Sequence, residues 1–522
     1  MHELRGSRYG GNRTVRGSIK NQFDIINDSN PEDNIEISNT LSENQKILQE
    51  QFRECDDIVI QNLTTSDGVQ ACMIYVSGLI NNNLVQRDVL PVLLSLKQAQ
   101  LKDLEGTNLF PSARFTREYI LEKVIDKILK TYTVVLLDGI NFALCFEMNN
   151  DESREYQEPE VERILKGQHD GFVENISKNV ALIRRKVASS KLKVRTYVLG
   201  KRSKGEVAML YIEDIANTGI VELVEQRIKS IEIDYINGAG MIEQITSDDP
   251  YSLFPLYQST ERADKAVANL MEGRILIIVD HTPVSLIVPV NYFQFFQTPE
   301  DYNINFIFGS FLRLLRFAGS SAAILIPALY IALLTYHYQA VPLNLLVPLA
   351  ESRARVPFPP IIEALLMELA FELLREASIR LPQGLGPTVG IVGGLALGQT
   401  AVEAGIVSNV MVVLVGLTAI ATFVVPHYDM GWFFRMSRFI AMINAAVFGV
   451  AGIMIFSLFT LAHMVTLESC GQPYLQPLAP FNPSDFMDTF IRTPMRKLRK
   501  RPDVALPRDK TRGRGNTGEE QR

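Results

Sequence analysis

The clearest chemical pattern in the chain is a glycine-rich, nearly uncharged stretch at residues 386–403. Four glycines recur there at every fourth position: Gly386, Gly390, Gly394 and Gly398. On a helix they share one side and form a smooth groove that lets another helix approach closely. The other side carries a mixed polar stripe: Thr388, Val392, Leu395, Gln399 and Glu403.

A helix with small residues on one side and a polar stripe on the other is typical of a pore lining. In that interpretation Val392 and Leu395 form a hydrophobic constriction, and a ring of Glu403 side chains attracts cations. The alternative is a tightly packed membrane helix with a polar end, because glycine stripes also occur wherever membrane helices pack.

A second pattern lies just before the glycines, where carboxylates recur on a predicted helix over 361–380: Glu363, Glu368, Glu372 and Glu376. The last three are spaced by four residues and therefore share one side, with leucines mostly on the other. A carboxylate inside a membrane indicates a functional site, since burying a charge in lipid is costly. We expect instead a membrane-proximal helix that lies in the interface with its acids in water.

Patterns for catalysis and metal binding are missing from the sequence. There is no P-loop, no GxSxG and no HExxH motif, and the four cysteines are scattered without a CxxC pair. The basic clusters are short, and the one after position 495 adjoins a predicted membrane segment, which argues against nucleic-acid binding. We therefore expect no catalytic residues, no metal, no cofactor and four buried thiols.

The elements that must position these residues divide into a soluble part and a helical part. Residues 1–40 are polar, without the apolar core of a signal peptide, and are predicted to be a disordered tail. Two small α+β units follow at 41–150 and 169–300, separated by an acidic linker at 151–168. Within them, Thr116–Tyr132 is predicted to be a helix and Met241–Ile245 a short strand.

Residues 301–467 are predicted to form an all-α transmembrane domain of about four to six membrane helices, followed by a polar, basic tail at 468–522. Four long runs carry almost no charge: Phe317–Tyr336, Thr388–Val402, Ala404–Pro426 and Phe439–Leu467. Arg313 and Arg316 before the first run, and the basic tail, place both ends inside and require an even number of crossings. Four crossings put Arg435 and Arg438 outside, against the positive-inside tendency, whereas an added crossing by Ile361–Ile379 misplaces the tail.

Many segments, in a fixed order over about residues 169–480, resemble the A subunits of spore-germination nutrient receptors, the GerA family. Five of them carry much of the resemblance: DGFVENISKNVALIRRKV (170–187), TERADKAVANLMEGRILIIVDHTP (260–283), EALLMELAFELLREASIRLP (363–382), GQTAVEAGIVS (398–408) and GQPYLQPLAPF (471–481). One departure is His281, where a glycine is expected in the turn after the aspartate.

The resemblance implies a multi-pass protein of the spore inner membrane with a cytoplasmic N-terminal region. It implies two partners, a transporter-like B subunit that senses the nutrient and a lipoprotein C subunit, and a homo-oligomeric ring that forms a cation channel in membrane lipid. Nutrient binding to the B subunit then opens the channel and starts germination. The alternative is a non-conducting scaffold, or a paralogue that clusters germination receptors or components of a spore-release channel. A membrane enzyme would need a catalytic set that the sequence lacks.

Overall fold

The computed structural model describes residues 35–98, 110, 113–149, 158–382, 386–483 and 485–513. Most of the predicted disordered tail, part of the acidic linker (151–157) and the last residues of the basic tail (514–522) lie outside the described residues. The described residues divide into two compact units, the first comprising most of those before residue 152 and the second most of those after it.

The first unit is a five-stranded antiparallel sheet with helices. Its elements are α1 (Leu41–Gln51), β1 (Ile58–Thr64), β2 (Gln70–Val76), α2 (Leu90–Ser95), β3 (Phe115–Glu118), α3 (Leu121–Ile128), β4 (Tyr132–Leu137) and β5 (Ala143–Glu147). The strand order is β1-β2-β4-β5-β3. The interior strands β2 and β4 are apolar and mostly buried, whereas the edge strand β1 is largely accessible, as expected for interior and edge positions.

The second unit begins with another five-stranded antiparallel sheet. Its elements are α4 (Ile176–Lys186), β6 (Leu192–Leu199), β7 (Gly205–Ile212), α5 (Thr218–Lys229), α6 (Ala239–Thr246), β8 (Gln258–Thr260), α7 (Ala263–Leu270), β9 (Ile275–Val279) and β10 (Ser285–Val288). The order β6-β7-β9-β10-β8 repeats the strand order of the first sheet. We refer to these parts as the first and second α+β subdomains.

Two predicted elements in these subdomains are wrong. The first residues of the predicted helix Thr116–Tyr132 belong to β3, which pairs with β5, so the helix starts only at Leu121. The predicted strand Met241–Ile245 lies inside α6, where Ile242 and Thr246 are buried at a spacing of four residues. Short apolar runs fit either structure, and here the packing of one face favours the helix.

A series of helices completes the second unit. They are α8 (Pro299–Asn303), α9 (Phe306–Thr335), α10 (Leu343–Arg353), α11 (Pro360–Arg380), α12 (Gly386–Glu403), α13 (Asn409–Phe423), α14 (Tyr428–Phe448) and α15 (Val450–Thr466). Among the described residues, α9 alone is long and apolar enough to cross a membrane, and α13 and α15 are shorter apolar helices.

Contacts at the helix ends show that α9 and α14 both run away from the second subdomain. Arg316 near the start of α9 donates to the carbonyl of Phe296 at 3.0 Å, and His427 before α14 lies 3.0 Å from Lys265 of α7. At the far end, the Tyr336 hydroxyl donates to the carbonyl of Ala446 at 2.9 Å. The two helices therefore lie parallel and side by side.

The remaining long helices alternate in direction. α11 starts at the far end and returns, α12 leads outward again to Gly405 beside Arg355, and α13 returns to the second subdomain. α15 comes back as well, with His463 lying 3.2 Å from Ser252. Six helices thus run alternately outward and inward.

The fourth uncharged run, Phe439–Leu467, is not one helix. Gly449 has φ +62°, a left-handed conformation that ends α14 and lets α15 turn back against it. A Cβ on Gly452 would lie 2.0 Å from the carbonyl oxygen of Asn444, so only glycine permits this close crossing. The run is therefore a helical hairpin.

Candidate functional site in the helical part

The acidic helix α11 has the reverse of the usual amphipathic arrangement. Glu363 is 0% and Glu368 1% exposed, whereas Leu369 and Leu373 on the opposite side are exposed. The expectation that the acids lie in water is therefore wrong for Glu363 and Glu368. Their carboxylates are turned inward because cationic and hydrogen-bonding partners from other helices surround them.

Glu363 occupies the outer end of this arrangement. Its carboxylate accepts a hydrogen bond from the backbone N–H of Ser408 at 2.6 Å and another from the Ser408 hydroxyl. The Nε atom of Arg353 lies 3.4 Å from the other carboxylate oxygen. The carboxylate thus ties α11 to the N-cap of α13.

Glu368 and Glu372 form the inner part of the arrangement. Glu368 lies 3.0 Å from Nη1 of Arg438 and accepts from the Thr418 hydroxyl at 3.2 Å. Glu372 accepts from Nη1 of Arg435 at 2.6 Å. We call these ion pairs, together with Glu363–Arg353, the acid–arginine ladder. Removing one partner from a buried pair costs about 3–5 kcal/mol, because the other charge stays buried without compensation.

Glu376 is the exception among the four acids. Its side chain is exposed and pairs with Arg380, one turn further along the same helix, at 2.5 Å. An exposed pair of this kind contributes little to stability. Only this end of α11 matches the predicted acids in water.

The four glycines of α12 lie toward neighbouring helices. A Cβ on Gly386 would meet the Ser378 carbonyl of α11 at 2.7 Å, and one on Gly390 would lie 3.5 Å from the Ser378 hydroxyl. Gly394 approaches Leu374, and Gly398 approaches Val412 of α13. Close packing of α11, α12 and α13 therefore depends on this side of α12.

The predicted pore stripe lies on the outward side of α12. Val392 is 60% and Leu395 71% exposed. Gln399 and Glu403 are also exposed, and the Gln399 amide donates to the Glu403 carboxylate at 3.0 Å. The side chain of Thr388 lies outside the described residues. The described part of the stripe is thus available to another molecule, and it does not touch the acid–arginine ladder.

A buried polar junction between the second α+β subdomain and α14 was missed by the sequence analysis. The Lys265 ammonium donates to the Glu162 carboxylate at 2.7 Å and to Nε2 of His427 at 3.0 Å. His427 also lies 3.1 Å from the Gln258 amide nitrogen. We call these residues the Lys265 junction. Their positions, far apart along the chain, gave no signal in the sequence.

The electrostatics of the Lys265 junction follow from burial and proximity. Burial by itself raises the pKa of the Glu162 carboxyl, but the Lys265 charge, the nearby His427 ring and the hydrogen bonds from Lys265 and Thr260 together outweigh it and lower that pKa to about 2. Burial, with the same Lys265 charge, lowers the pKa of His427 to about 3. His427 is therefore neutral when the protein is folded, as an acceptor from Lys265 must be.

Arg313 and Arg316, used above to orient the first span, are buried rather than solvated. Asp301, itself 0% exposed, accepts from Nη1 of Arg316 at 2.8 Å and lies 3.5 Å from Nη2 of Arg313. Asp301 and Thr298 also form the capping box of α8. This cluster joins the start of α9 to the second subdomain.

Comparison with known proteins finds relatives that match most of the chain. A family model described as Bacillus/Clostridium GerA spore germination protein matches residues 46–504. Spore germination protein B1 of Bacillus subtilis (strain 168) is 36% identical over 485 residues, covering 92% of this chain and 100% of the relative. The uncharacterized membrane protein YfkQ of the same organism is 36% identical over 484 residues, covering 92% of this chain and 93% of the relative.

One solved structure is also similar in sequence. It is the crystal structure of the N-terminal domain of the A subunit of the Bacillus megaterium spore germinant receptor GerK3. It is 28% identical and covers 50% of this chain and 98% of that chain, with a TM-score of 0.39.

Proposed function

The chain belongs to the GerA family of spore germination proteins, and from this premise we propose that it is the A subunit of a nutrient germinant receptor that assembles into a cation channel. The observation that carries the proposal is the outward stripe on α12. Val392 and Leu395 present apolar surface, and Gln399 and Glu403 present polar atoms, on a side that no described part of the chain covers.

This stripe favours a water-filled assembly over a lipid-facing surface. A carboxylate on a lipid-facing helix is costly, so Glu403 needs water or a partner beside it. Copies of α12 arranged in a ring would supply both, with Val392 and Leu395 at a constriction and Glu403 at a cation-attracting ring. The glycines on the other side would hold each copy of α12 against its own α11 and α13.

The contacts of the C-terminal segment support an even number of crossings. The backbone N–H of Arg508 donates to the carbonyl of Ile215 at 2.8 Å, and Arg512 pairs with Glu272 at 2.7 Å. The segment after α15 therefore lies on the same side as the second α+β subdomain. Six crossings, by α9 and α11–α15, are compatible with this, and we propose that both parts lie on the cytoplasmic side of the spore inner membrane.

The six-crossing arrangement also resolves the difficulty with Arg435 and Arg438. Both lie in the half of α14 that starts beside the second α+β subdomain, so they are on the inner side. Both are also paired with carboxylates of α11. They no longer conflict with the positive-inside tendency.

In this proposal the chain works with a transporter-like B subunit, which senses the nutrient, and a lipoprotein C subunit. Nutrient binding shifts the assembly from a closed to an open state through its different affinity for the two states. The alternative is a non-conducting scaffold or a paralogue with another role in germination. The match to YfkQ is as extensive as the match to spore germination protein B1, so the experiment must also distinguish this alternative.

The test is ion flux from liposomes that hold the purified, oligomeric chain. Val392→Ala should widen the constriction and raise the flux, and Glu403→Gln should reduce the preference for cations. Leu369→Ala, on the exposed apolar side of α11 and outside the stripe, is the control and should leave both unchanged.

Flux that follows these changes supports a pore lined by α12. No flux from any variant, with the B and C subunits also present and the oligomer confirmed, favours the scaffold. An ion flux that neither Val392→Ala nor Glu403→Gln changes would mean that another helix lines the pore.

A further inference from the structure

A cleft of about 940 Å³ lies where the helices meet the second α+β subdomain. Residues 161–164 and the start of α7 line one side. The inner ends of α11, α13 and α14 line the other, together with the start of α12. If the apolar helices cross the membrane, the cleft lies at the depth of the inner-leaflet headgroups. It is separate from the α12 stripe.

The cleft has more positive than negative side chains. Among the described residues, its lining includes six cationic side chains and three carboxylates: Arg163, Arg262, Lys265, Arg375, Arg435 and Arg438, with Glu162, Glu368 and Glu372. Lys265, Arg435 and Arg438 each pair with one of these carboxylates. Arg375 has no carboxylate partner among the described residues, and its guanidinium lies 4.9 Å from the centre of the Phe423 ring.

Arg435 provides a second, independent indication of a ligand. Its side chain is 3% exposed, and Nη1 donates to Glu372, but Nη2 is buried without a hydrogen-bond partner in the described part of the chain. Buried donors in folded proteins nearly always have an acceptor, and a charged donor left unpaired is costly. An anionic oxygen in the cleft would satisfy this atom and at the same time approach Arg375.

The apolar part of the cleft indicates what kind of anion. Phe371 and Leu374 line it beside the arginines, and Ile379 and Phe423 (68% exposed) add further apolar surface to its lining. Arginine matches the geometry of phosphate oxygens, and acyl chains match an exposed apolar helix face. Anionic lipids concentrate at the cytoplasmic leaflet, where basic pockets between membrane helices bind their headgroups.

We propose that this cleft binds the phosphate of an anionic phospholipid, with Arg375 and Arg435 as its ligands and with Phe371, Leu374, Ile379 and Phe423 against its acyl chains. The bound lipid would join the helices to the second α+β subdomain at the Lys265 junction. The proposal rests on the membrane placement proposed above but not on conduction, so the two fail independently.

The test uses the full chain in an uncharged maltoside detergent, titrated with dihexanoyl phosphatidylglycerol. The chain has a single tryptophan, Trp432, and its ring centre lies 3.6 Å from the guanidinium carbon of Arg435, so its fluorescence reports the site directly. Inorganic phosphate and the matched diacylglycerol without phosphate are titrated in parallel. None of these three titrations depends on ion flux.

Arg375→Gln should weaken lipid binding about tenfold, the effect of losing one charge-assisted contact. It leaves no carboxylate unpaired, so the chain should stay folded, which its thermal unfolding checks. Arg380→Gln, on the same helix but outside the cleft, should bind like the wild type. Ile379→Ala should weaken lipid binding about threefold and leave the binding of inorganic phosphate unchanged.

Three outcomes decide the proposal. Lipid binding that depends on Arg375 and Ile379 supports it as stated. If inorganic phosphate binds as tightly as the lipid, and its binding depends on Arg375 but not on Ile379, the cleft is an anion site but the proposal of a lipid ligand is overturned. Absent binding, or equal binding to the wild type and Arg375→Gln, overturns the site.

Discussion

The two α+β subdomains share one design and differ in what covers it. In both, an aspartate at the turn between the last two strands accepts from the first N–H of the opening helix: Asp138 from Leu41 at 3.0 Å, and Asp280 from Ile176 at 3.2 Å. In both, the fourth residue of that helix is an asparagine whose side chain makes two hydrogen bonds to the backbone of a single residue ahead of the helix. Asn44 bonds in this way to Ser38, and Asn179 to Val173.

The difference appears on the helix that connects the third strand to the fourth along the chain, α3 in the first subdomain and α7 in the second. Leu121, Val124 and Ile128 are buried in α3, and Ala263, Ala266 and Leu270 occupy the same positions of α7. Lys123 of α3 is exposed to solvent, whereas the equivalent Lys265 of α7 is buried against His427. The same face of the helix is thus exposed to solvent in the first subdomain and packed against the helical part in the second. A polar residue that is buried on this face, such as Lys265, therefore needs a hydrogen-bonding or charged partner.

The largest expected effect tests this difference directly. Lys265→Ala leaves the Glu162 carboxylate buried without its cation and should destabilise the second unit by about 3–5 kcal/mol. Lys123→Ala removes an exposed side chain and should change stability by less than about 0.5 kcal/mol. Hydrogen exchange, read separately for β4 and β9 in the full chain, gives both values. Similar effects of the two variants would contradict the comparison.

The shared turn aspartates should have equal effects in the two subdomains. Asp138→Ala and Asp280→Ala each remove the acceptor of a helix N-terminal N–H, at a cost of about 1–2 kcal/mol. The same exchange measurement, on α1 and α4, reports the loss. Asp→Asn at either position keeps an acceptor and is the control. A loss in only one subdomain would mean that the common geometry is not a common stabilising contact.

The covered subdomain should also respond to pH. The folded pKa of His427, about 3, lies below its ordinary 6.5, so the folded state binds fewer protons and this contribution to stability falls as pH drops from 7 to about 5.5. Comparing wild type with His427→Gln should isolate a change of about 1 kcal/mol. Equal pH dependence of the two proteins would show that His427 does not stay neutral.

A neighbouring carboxyl should act in the opposite direction. Burial, with the charge of Asp429, raises the pKa of Glu243 to about 8, so its contribution is present at low pH and is lost as pH rises through 8. Glu243→Gln should therefore change the pH profile with the sign opposite to that of His427→Gln. Urea unfolding of both variants at matched pH values provides the comparison.

The smallest effect concerns the turn itself. Gly139 and His281 occupy equivalent positions with φ +81° and +62°. Gly139→Ala meets no atom within 4 Å, so its cost is backbone strain alone, about 1 kcal/mol. His281→Gly should stabilise its turn by about 0.5–1 kcal/mol. Thermal unfolding that moves in the same direction for both would contradict a shared left-handed turn.

The sequence by itself determined the features that are local. Alternating and apolar runs predicted most strands of both sheets, and spacing by four predicted that Glu368, Glu372 and Glu376 share one side of a helix. Asp138-Gly139 and Asp280-His281 marked the two turns. Each of these depends on residues a few positions apart, whose backbone preferences and periodicity act before any long-range contact forms.

Only the tertiary structure decided which side of a helix is buried. Periodicity places Glu363 and Glu368 on α11, but their exposure depends on Arg353, Arg438 and Ser408, which reach them from other elements. The Lys265 junction likewise joins residues more than a hundred positions apart. Burial is a property of packed surfaces, and a charge becomes stable inside only where the fold brings its partner.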